Sequence, residues 1–311
     1  MFLHYETIYE NEKKIVVVDI QRGTDRPYYI AKKGMRPEGV YVRQGDSSVP
    51  ATDAAIRRMI KETDGDHFEA MRSLNQNLTF YATTEEFQLR NVEFGPQQMR
   101  SLKLIDSDGL YTNLALLLSD QCVHSIKAAV FQGKDQTIFK DRREFSGSLM
   151  KQMHEVYDFI DFRNQTRATI EKLLRVDVRD YPEIAIREAL LNLLVHREYS
   201  FSASALISLY KDRIEFVSIG GLMPEIELED ILAGISICRN PDLANIFYRL
   251  QLIEAYGTGI SKIMKAYEGT NTRPRIETTK NTFKIILPNV NINSGSTITS
   301  IPAKEEAPVF I

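Results

Sequence analysis

The fold is decided by one stretch of sequence, Pro182-Glu183-Ile184-Ala185-Ile186-Arg187-Glu188-Ala189-Leu190-Leu191-Asn192-Leu193-Leu194-Val195-His196-Arg197. Its apolar residues surround three polar ones that recur every four positions, Glu188, Asn192 and His196. At about 100° per residue, steps of four place these side chains within an arc of roughly 80° on one helix. We therefore predict a helix that is buried on nearly every side. Its polar stripe either lines a pocket or forms a thin solvent-exposed edge, and the pattern alone leaves both interpretations open.

Composition bounds the class of protein. The 311 residues are enough for two or three domains, and 43% hydrophobic with 26% charged residues is typical of a globular protein. The net charge of -3 argues against a generally basic nucleic-acid binder, although it is compatible with a local basic patch. Cys122 and Cys238 are too few and too far apart for a disulfide or zinc framework. Because no segment approaches the ~20 apolar residues of a membrane span and no signal peptide is visible, we expect a cytoplasmic protein without a membrane partner.

The N-terminal part combines strands with one amphipathic helix. Residues 14–20 and 39–45 have the composition of strands, and a helix is predicted from Thr52. Arg57 and Arg58 lie together on the polar side of this helix. They would contact a nucleic-acid backbone or, as most such charge clusters do, only solvent.

Residues 83–164 show helices, then a strand at 125–131, then a long helix. Phe145 is the first of the apolar positions that recur in this last helix at helical spacing, which is typical of core packing. His124 and His154 are single histidines without metal-ligand neighbours at useful spacing. We therefore expect no catalytic chemistry in this region.

The region after the striped helix predicts a hairpin and two glycine turns. Strands at 204–210 and 213–218 flank Lys211-Asp212, and Gly220-Gly221 ends the second strand. Gly257-Thr258-Gly259 precedes another helical pattern, so its backbone N–H groups would suit a phosphate. A lone Gly-x-Gly is also a common ordinary turn. A closing strand is predicted at 282–287.

Several groups of residues carry a resemblance to a known family: Glu188-Ala189-Leu190-Leu191-Asn192 with His196-Arg197-Glu198-Tyr199, Asp212-Arg213-Ile214-Glu215, Gly220-Gly221-Leu222, Arg239-Asn240-Pro241 and Tyr256-Gly257-Thr258-Gly259-Ile260. In this order they resemble the divergent GHKL-type, histidine kinase-like ATPase domain of RecG-related transcriptional regulators. In that family the domain follows a Schlafen-type AlbA domain, and residues 41–46 resemble the back half of an AlbA domain.

The resemblance implies an α+β, multi-domain chain that ends in a GHKL-like α/β sandwich, with helices packed on one face of a mixed sheet. The expected boundaries are 1–68 for the partial AlbA-like domain, 69–165 for a middle α/β region, 166–290 for the ATPase-like domain and 291–311 for a tail or linker. Relatives continue into a winged-helix module, so DNA contact would come through the N-terminal region or through such a module. A fragment of a longer regulator and a protein that acts through partners or self-association both fit this pattern.

The same resemblance implies roles for the site residues. Glu188 would polarise an attacking water and Asn192 would coordinate Mg²⁺, which are tasks that a carboxylate and an amide oxygen perform well. His196 would approach the phosphates or the ligand. Three further elements would complete the site: Gly257, Thr258 and Gly259 wrapping the phosphates of ATP, residues 222–253 as a lid, and Arg239 as an anion contact.

The adenine-reading side departs from the family. Nucleotide-binding members carry Asp-x-Gly-x-Gly, whereas this chain has Ser218-Ile219-Gly220-Gly221-Leu222. A serine hydroxyl accepts the adenine hydrogen bond without the charge that strengthens it, which costs roughly 1 to 2 kcal/mol. We therefore expect a transcriptional regulator of bacterial type that binds ATP and Mg²⁺ for sensing, with weak ATPase activity at most. The alternative is a DNA- or protein-binding regulatory module with a degenerate, nucleotide-free pocket. A helicase motor is not expected, because no Gly-x-x-x-x-Gly-Lys-Ser/Thr loop is present.

Overall fold

The computed structural model describes residues 3–10, 13–20, 27–64, 68–223, 226–254 and 257–292. The strands are, in chain order, β1 (Leu3–Glu10), β2 (Lys13–Ile20), β3 (Tyr41–Gln44), β4 (Ser47–Pro50), β5 (Ile126–Phe131), β6 (Phe139–Phe145), β7 (Thr166–Glu171), β8 (Leu174–Arg179), β9 (Ala205–Leu209), β10 (Arg213–Ile219), β11 (Arg275–Thr278) and β12 (Thr282–Pro288). The helices are α1 (Asp53–Asp64), α2 (Tyr81–Leu89), α3 (Pro96–Ser101), α4 (Asn113–Leu118), α5 (Leu149–Asp161), α6 (Glu183–Val195), α7 (Leu228–Leu232), α8 (Pro241–Arg249) and α9 (Gly259–Lys265), with a single 3₁₀ turn at Phe68–Ala70.

The chain forms two compact units, residues 1–78 with 95–116 and residues 79–94 with 117–311. In the first unit, β1 pairs with β2 and β3 pairs with β4, both antiparallel. The strand predicted at 14–20 is confirmed as β2, and the helix predicted from Thr52 is α1, where the Thr52 hydroxyl accepts a hydrogen bond from the Ala55 N–H at 3.2 Å. Val40, Ala51 and Ile56 form a small buried cluster. The domain boundaries and the AlbA-like identity expected from the sequence stay predictions.

The second unit is organised by a six-stranded sheet with the order β11-β12-β10-β9-β5-β6. β5 and β9 run parallel, and every other neighbouring pair is antiparallel. The predicted hairpin is confirmed as β9 and β10, with Ile214 opposite Leu209 and Phe216 opposite Ile207. The mixed sheet with its helices confirms the expected α+β class.

The helices α5 and α6 pack against this sheet and against each other. Along β10 the side chains alternate between buried and half-buried, with Ile214, Phe216 and Ser218 on the buried side. This alternation is the pattern of a strand with one face on the core. Because α6 contacts β10 and β12, Ser218 at the end of β10 belongs to the helix-covered face. That placement brings it towards the polar stripe of α6.

The structure corrects one element boundary. Phe145 was expected to begin the long helix, but it is the last residue of β6 and pairs with Ile126. The helix begins at Leu149, because the Ser148 hydroxyl accepts a hydrogen bond from the Lys151 N–H and caps it. Phe145 and Leu149 are both buried four residues apart, so a strand end and a helix start together imitate helical spacing.

None of the helices within the described residues combines the length and the apolar character that crossing a lipid bilayer requires.

Candidate functional site

A cavity of about 620 Å³ lies in the second unit, beside α6. Its walls are α6, the end of β10 with the turn that follows, the segment from Leu222 to Glu254 where described, and the start of α9. Small-molecule sites usually measure roughly 300–1,000 Å³, so this cavity is large enough for a nucleotide-sized ligand. The structure brings together most of the site residues expected from the sequence, and these all line the cavity: Glu188, Asn192, His196, Ser218, Gly220, Gly221, Arg239, Gly257, Thr258 and Gly259. Their roles stay predictions.

The polar stripe lies on a helix whose C-terminal end is held by a buried side chain. Pro182 precedes the first turn, where its missing N–H is of no consequence. At the other end, the buried Asn240 amide donates hydrogen bonds to the carbonyl oxygens of Val195 and Arg197, both at 2.8 Å. These bonds satisfy carbonyl groups that a helix end leaves without partners. The stripe is therefore a wall of the cavity and not a solvent-exposed edge.

Glu188 is almost completely buried, with 8% of its surface exposed. One carboxylate oxygen accepts a hydrogen bond from the Arg187 guanidinium, which also donates to the carbonyl oxygen of Leu252 at 2.5 Å. The other oxygen lies against Gly259, where an added Cβ would come within 3.2 Å of it. Glu188 is thus ion-paired, but it keeps one oxygen directed at the glycine turn.

His196 ends α6 at the cavity wall as its C-terminal cap residue. Burial, and to a smaller extent the nearby positive charge of Arg239, lowers the pKa of this imidazole from its ordinary 6.5 to about 4. His196 is therefore neutral at physiological pH, so it offers the cavity one donor and one acceptor and no positive charge.

The first glycine turn, Gly220-Gly221, is closely packed against neighbouring residues. Gly220 has φ +100°, which favours glycine, and a Cβ there would lie 2.8 Å from the Cβ of Glu198. A Cβ on Gly221 would collide with the carbonyl oxygen of Thr279. Ser218 is buried at the start of this turn, and its hydroxyl donates to the Ile219 carbonyl at 3.3 Å.

Arg239 holds the same turn in place. Its guanidinium donates to a carboxylate oxygen of Glu198 at 2.8 Å and to the Gly221 carbonyl at 3.0 Å. The two charged side chains are 8% and 5% exposed, so they form a buried ion pair. Arg239 lines the cavity as expected, but its hydrogen bonds are directed at the protein.

The second glycine turn lies opposite α6. Gly257 has φ +64°, and a Cβ there would lie 2.6 Å from the Cβ of Ser236. The Thr258 hydroxyl donates to a carboxylate oxygen of Glu254 at 3.0 Å. The helix that follows Thr258 is only seven residues long, so its dipole contributes little and the glycine backbone is the useful feature.

Sequence reasoning missed three charged residues around the cavity: Arg187, Glu254 and Lys262. Nothing in the sequence indicates the role of Arg187, because its position next to Glu188 does not reveal that it contacts Leu252. Glu254 and Lys262 each lie four residues from Thr258, and this spacing would have indicated that both are close to the second glycine turn. They form an ion pair with 2.6 Å between Nζ and the carboxylate.

The two predicted nucleic-acid contacts, Arg57 and Arg58, stay predictions. Arg57 is half-buried in α1, which belongs to the first compact unit. The Arg58 side chain lies outside the described residues. In the part of the chain that the structure describes, no group of three or more His, Cys, Asp or Glu side chains is close enough to hold a metal ion.

Comparison with known proteins identifies part of this unit. The family model described as "Putative ATP-dependent DNA helicase recG C-terminal", HATPase_c_4, matches residues 203–287. The match includes both glycine turns and the segment between them, whereas α6 precedes it. An ATPase-like domain of this family is therefore present in the chain. No curated protein matches the chain.

A solved structure shares the fold. The crystal structure of the DIP2311 protein from Corynebacterium diphtheriae is similar with a TM-score of 0.63 and 18% sequence identity, covering 93% of this chain and 59% of that one. At this identity the likeness concerns the fold alone. The present chain spans 59% of the length of that protein.

Proposed function

We propose that the cavity binds ATP together with Mg²⁺, and that the protein uses this binding to sense nucleotide in a regulatory role. One observation carries the proposal: Glu188 and Asn192 on α6 face the same cavity as the Gly257–Gly259 turn. A carboxylate, an amide and a glycine backbone at the cavity wall are groups that a magnesium–phosphate complex can use. The ATPase-like family match over residues 203–287 supports the same reading.

The residues present fit magnesium bound through a phosphate. Mg²⁺ usually takes one or two protein oxygens and completes its shell with waters and phosphate oxygens. Asn192 offers one such amide oxygen at the cavity wall. When bound, the metal would neutralise phosphate charge. Asn192 would hold it, and Glu188 would orient a water near the terminal phosphate.

The residues also fit a closely held phosphate chain. At Gly257 and Gly259 an added Cβ would approach Ser236 and the Glu188 carboxylate, so only glycine keeps this turn packed closely against the cavity wall. Neutral His196 contributes a hydrogen bond without repelling the metal. Glu188 retains Arg187 as its ion-pair partner, which favours binding and slow turnover over fast hydrolysis.

The part of the cavity that would bind adenine explains why we expect the affinity for ATP to be weak. Ser218 replaces the family aspartate, and its hydroxyl accepts a hydrogen bond without charge assistance. Much of the remaining wall is apolar and comes from the segment 222–254, including Ile231, Ile235 and Tyr248. A segment that covers the ligand in this way changes its position when the ligand binds, which is the step we propose for regulation. DNA contact through the first unit, with Arg57 as one contributor, remains part of this proposal.

Calorimetric titration of Mg-ATP into the purified protein tests the function. We expect binding at micromolar to millimolar nucleotide that Mg²⁺ strengthens at least about tenfold, and an Asn192→Ala variant that binds equally with and without the metal. Asn271→Ala is the matched control, because Asn271 is exposed and does not line the cavity. If no heat is released at millimolar nucleotide, and wild type and Asn192→Ala are indistinguishable, the proposed function is wrong. That result would favour the regulatory module with a nucleotide-free pocket.

A further inference from the structure

Two cationic side chains line the described part of the cavity, Arg239 and Lys262. A nucleotide phosphate chain carries several negative charges, so a protein cation that can turn towards it would add a charge-assisted hydrogen bond to the charge that Mg²⁺ neutralises. Arg239 is unsuited to this task, because its buried ion pair with Glu198 and its bond to the Gly221 carbonyl hold the first glycine turn. Removing a partner from a buried pair is strongly destabilising.

Lys262 is held in a different way. Its Nζ lies 2.6 Å from one carboxylate oxygen of Glu254, and the other oxygen accepts the hydrogen bond from the Thr258 hydroxyl at 3.0 Å. A single carboxylate therefore occupies both the lysine and the hydroxyl beside the second glycine turn. These two donors are spaced so that one anionic group with two oxygens satisfies them both.

Exposure decides which cation is available. The Lys262 and Glu254 side chains are 28% and 57% exposed, compared with 8% and 5% for Arg239 and Glu198. An exposed ion pair separates at little cost, because water solvates both partners. Lys262 is thus the cavity cation that a ligand can recruit without disturbing the fold.

We infer that Lys262 is a phosphate-binding residue of this cavity, and that Glu254 occupies Lys262 and the Thr258 hydroxyl until a phosphate displaces it. The inference rests on the proposed function and adds a residue that the family match does not assign. Hydrogen bonds from Lys262 and then Thr258 lower the pKa of the Glu254 carboxyl, so it stays ionised at neutral pH and remains a competitor of the phosphate.

A double-mutant cycle measured by Mg-ATP calorimetry tests this exchange. Lys262→Met should weaken Mg-ATP binding at least about tenfold, since a charge-assisted hydrogen bond is lost. Lys265→Met is the matched control, because Lys265 lies on the same helix, is exposed and does not line the cavity. Glu254→Gln should strengthen binding about two- to fivefold in the wild-type background. In the Lys262→Met background it should change affinity less than about twofold, because no lysine remains to be released.

The outcomes separate this inference from the proposed function. If wild type binds, and Asn192→Ala abolishes the magnesium dependence, but Lys262→Met behaves like Lys265→Met, then Lys262 is not a phosphate ligand and the proposed function stands. If Glu254→Gln strengthens Mg-ATP binding equally in both backgrounds, Glu254 only repels the phosphates. The claim that it competes with them for Lys262 is then wrong. If wild type does not bind nucleotide, the proposed function itself fails. Equal thermal unfolding midpoints for all variants exclude misfolding as the cause.

Discussion

The buried pair between Glu198 and Arg239 makes a strong prediction about stability. The Arg239 side chain is only 8% exposed, and Glu198→Ala removes the carboxylate that pairs with it. The same substitution removes the acceptor of the Ser200 N–H. Breaking a buried pair from one side typically costs about 3–5 kcal/mol, so we expect a loss of unfolding free energy in that range. Glu277→Ala is the matched control, because Glu277 pairs with Lys284 on the same sheet at 53% exposure. That exposed pair should be worth less than about 1 kcal/mol.

Urea denaturation followed by far-UV circular dichroism measures both losses. The chain contains no tryptophan, so the backbone signal is the suitable probe. A double variant, Glu198→Met with Arg239→Met, should recover part of the loss, because replacing both charges by apolar groups removes the desolvated cation. The bonds to the Gly221 carbonyl and from the Ser200 N–H stay lost in this variant. A loss below about 1 kcal/mol for Glu198→Ala would refute the account of Glu198 and Arg239 as a buried ion pair that stabilises the fold. No recovery in the double variant would show that the loss does not come from the unpaired cation.

Two further predictions concern His196 and the second glycine turn. Because folding lowers the pKa of His196 from 6.5 to about 4, the unfolded chain binds the proton more tightly, so stability should fall as pH drops from about 6.5 to 4, by on the order of 3 kcal/mol. His196→Gln should flatten this part of the pH profile, and an unchanged slope in urea titrations would contradict the assignment. Gly257→Ala should weaken Mg-ATP binding at least about tenfold, because the backbone at φ +64° must shift away from Ser236. Gly269→Ala, at φ +81° with open space around it, controls for backbone strain, and equal nucleotide affinities in the two variants would show that the turn does not hold the ligand.

Local patterns predicted much of the second unit. The helix expected over residues 182–197 is observed as Glu183–Val195, and the hairpin flanking Lys211-Asp212 is observed as β9 and β10. In these elements the apolar periodicity, the turn residues and the burial all agree, so the sequence alone is sufficient. The end of α6, in contrast, depends on Asn240, which lies more than forty residues further along the chain.

The elements that were missed have weak local patterns. The hairpin of β7 and β8 is mostly exposed, with Ile170, Leu173 and Leu174 facing solvent, so no alternation marks its strands. β6 is exposed except at Phe145, and its pairing with β5 is what defines it. Such strands are specified by long-range hydrogen bonds, which periodicity does not reveal.

The site was predicted in part for the same reason. The stripe of Glu188, Asn192 and His196 and the glycine turns are local patterns, and the structure places them around one cavity. The interactions that occupy the charged side chains involve residues that are distant in sequence. Arg187 pairs with Glu188 and also donates to the Leu252 carbonyl, and Glu198 accepts a hydrogen bond from Arg239. A motif therefore located the residues, and only the three-dimensional contacts show which charges are available to a ligand.

A crystal structure with Mg²⁺ and a non-hydrolysable ATP analogue tests the central claim most directly. The account predicts phosphate density between Asn192 and the Gly257–Gly259 turn, with the metal on the Asn192 amide oxygen and Lys262 turned from Glu254 to a phosphate. Analogue bound elsewhere, or a cavity without density at saturating analogue while Glu254 still holds Lys262, would contradict it.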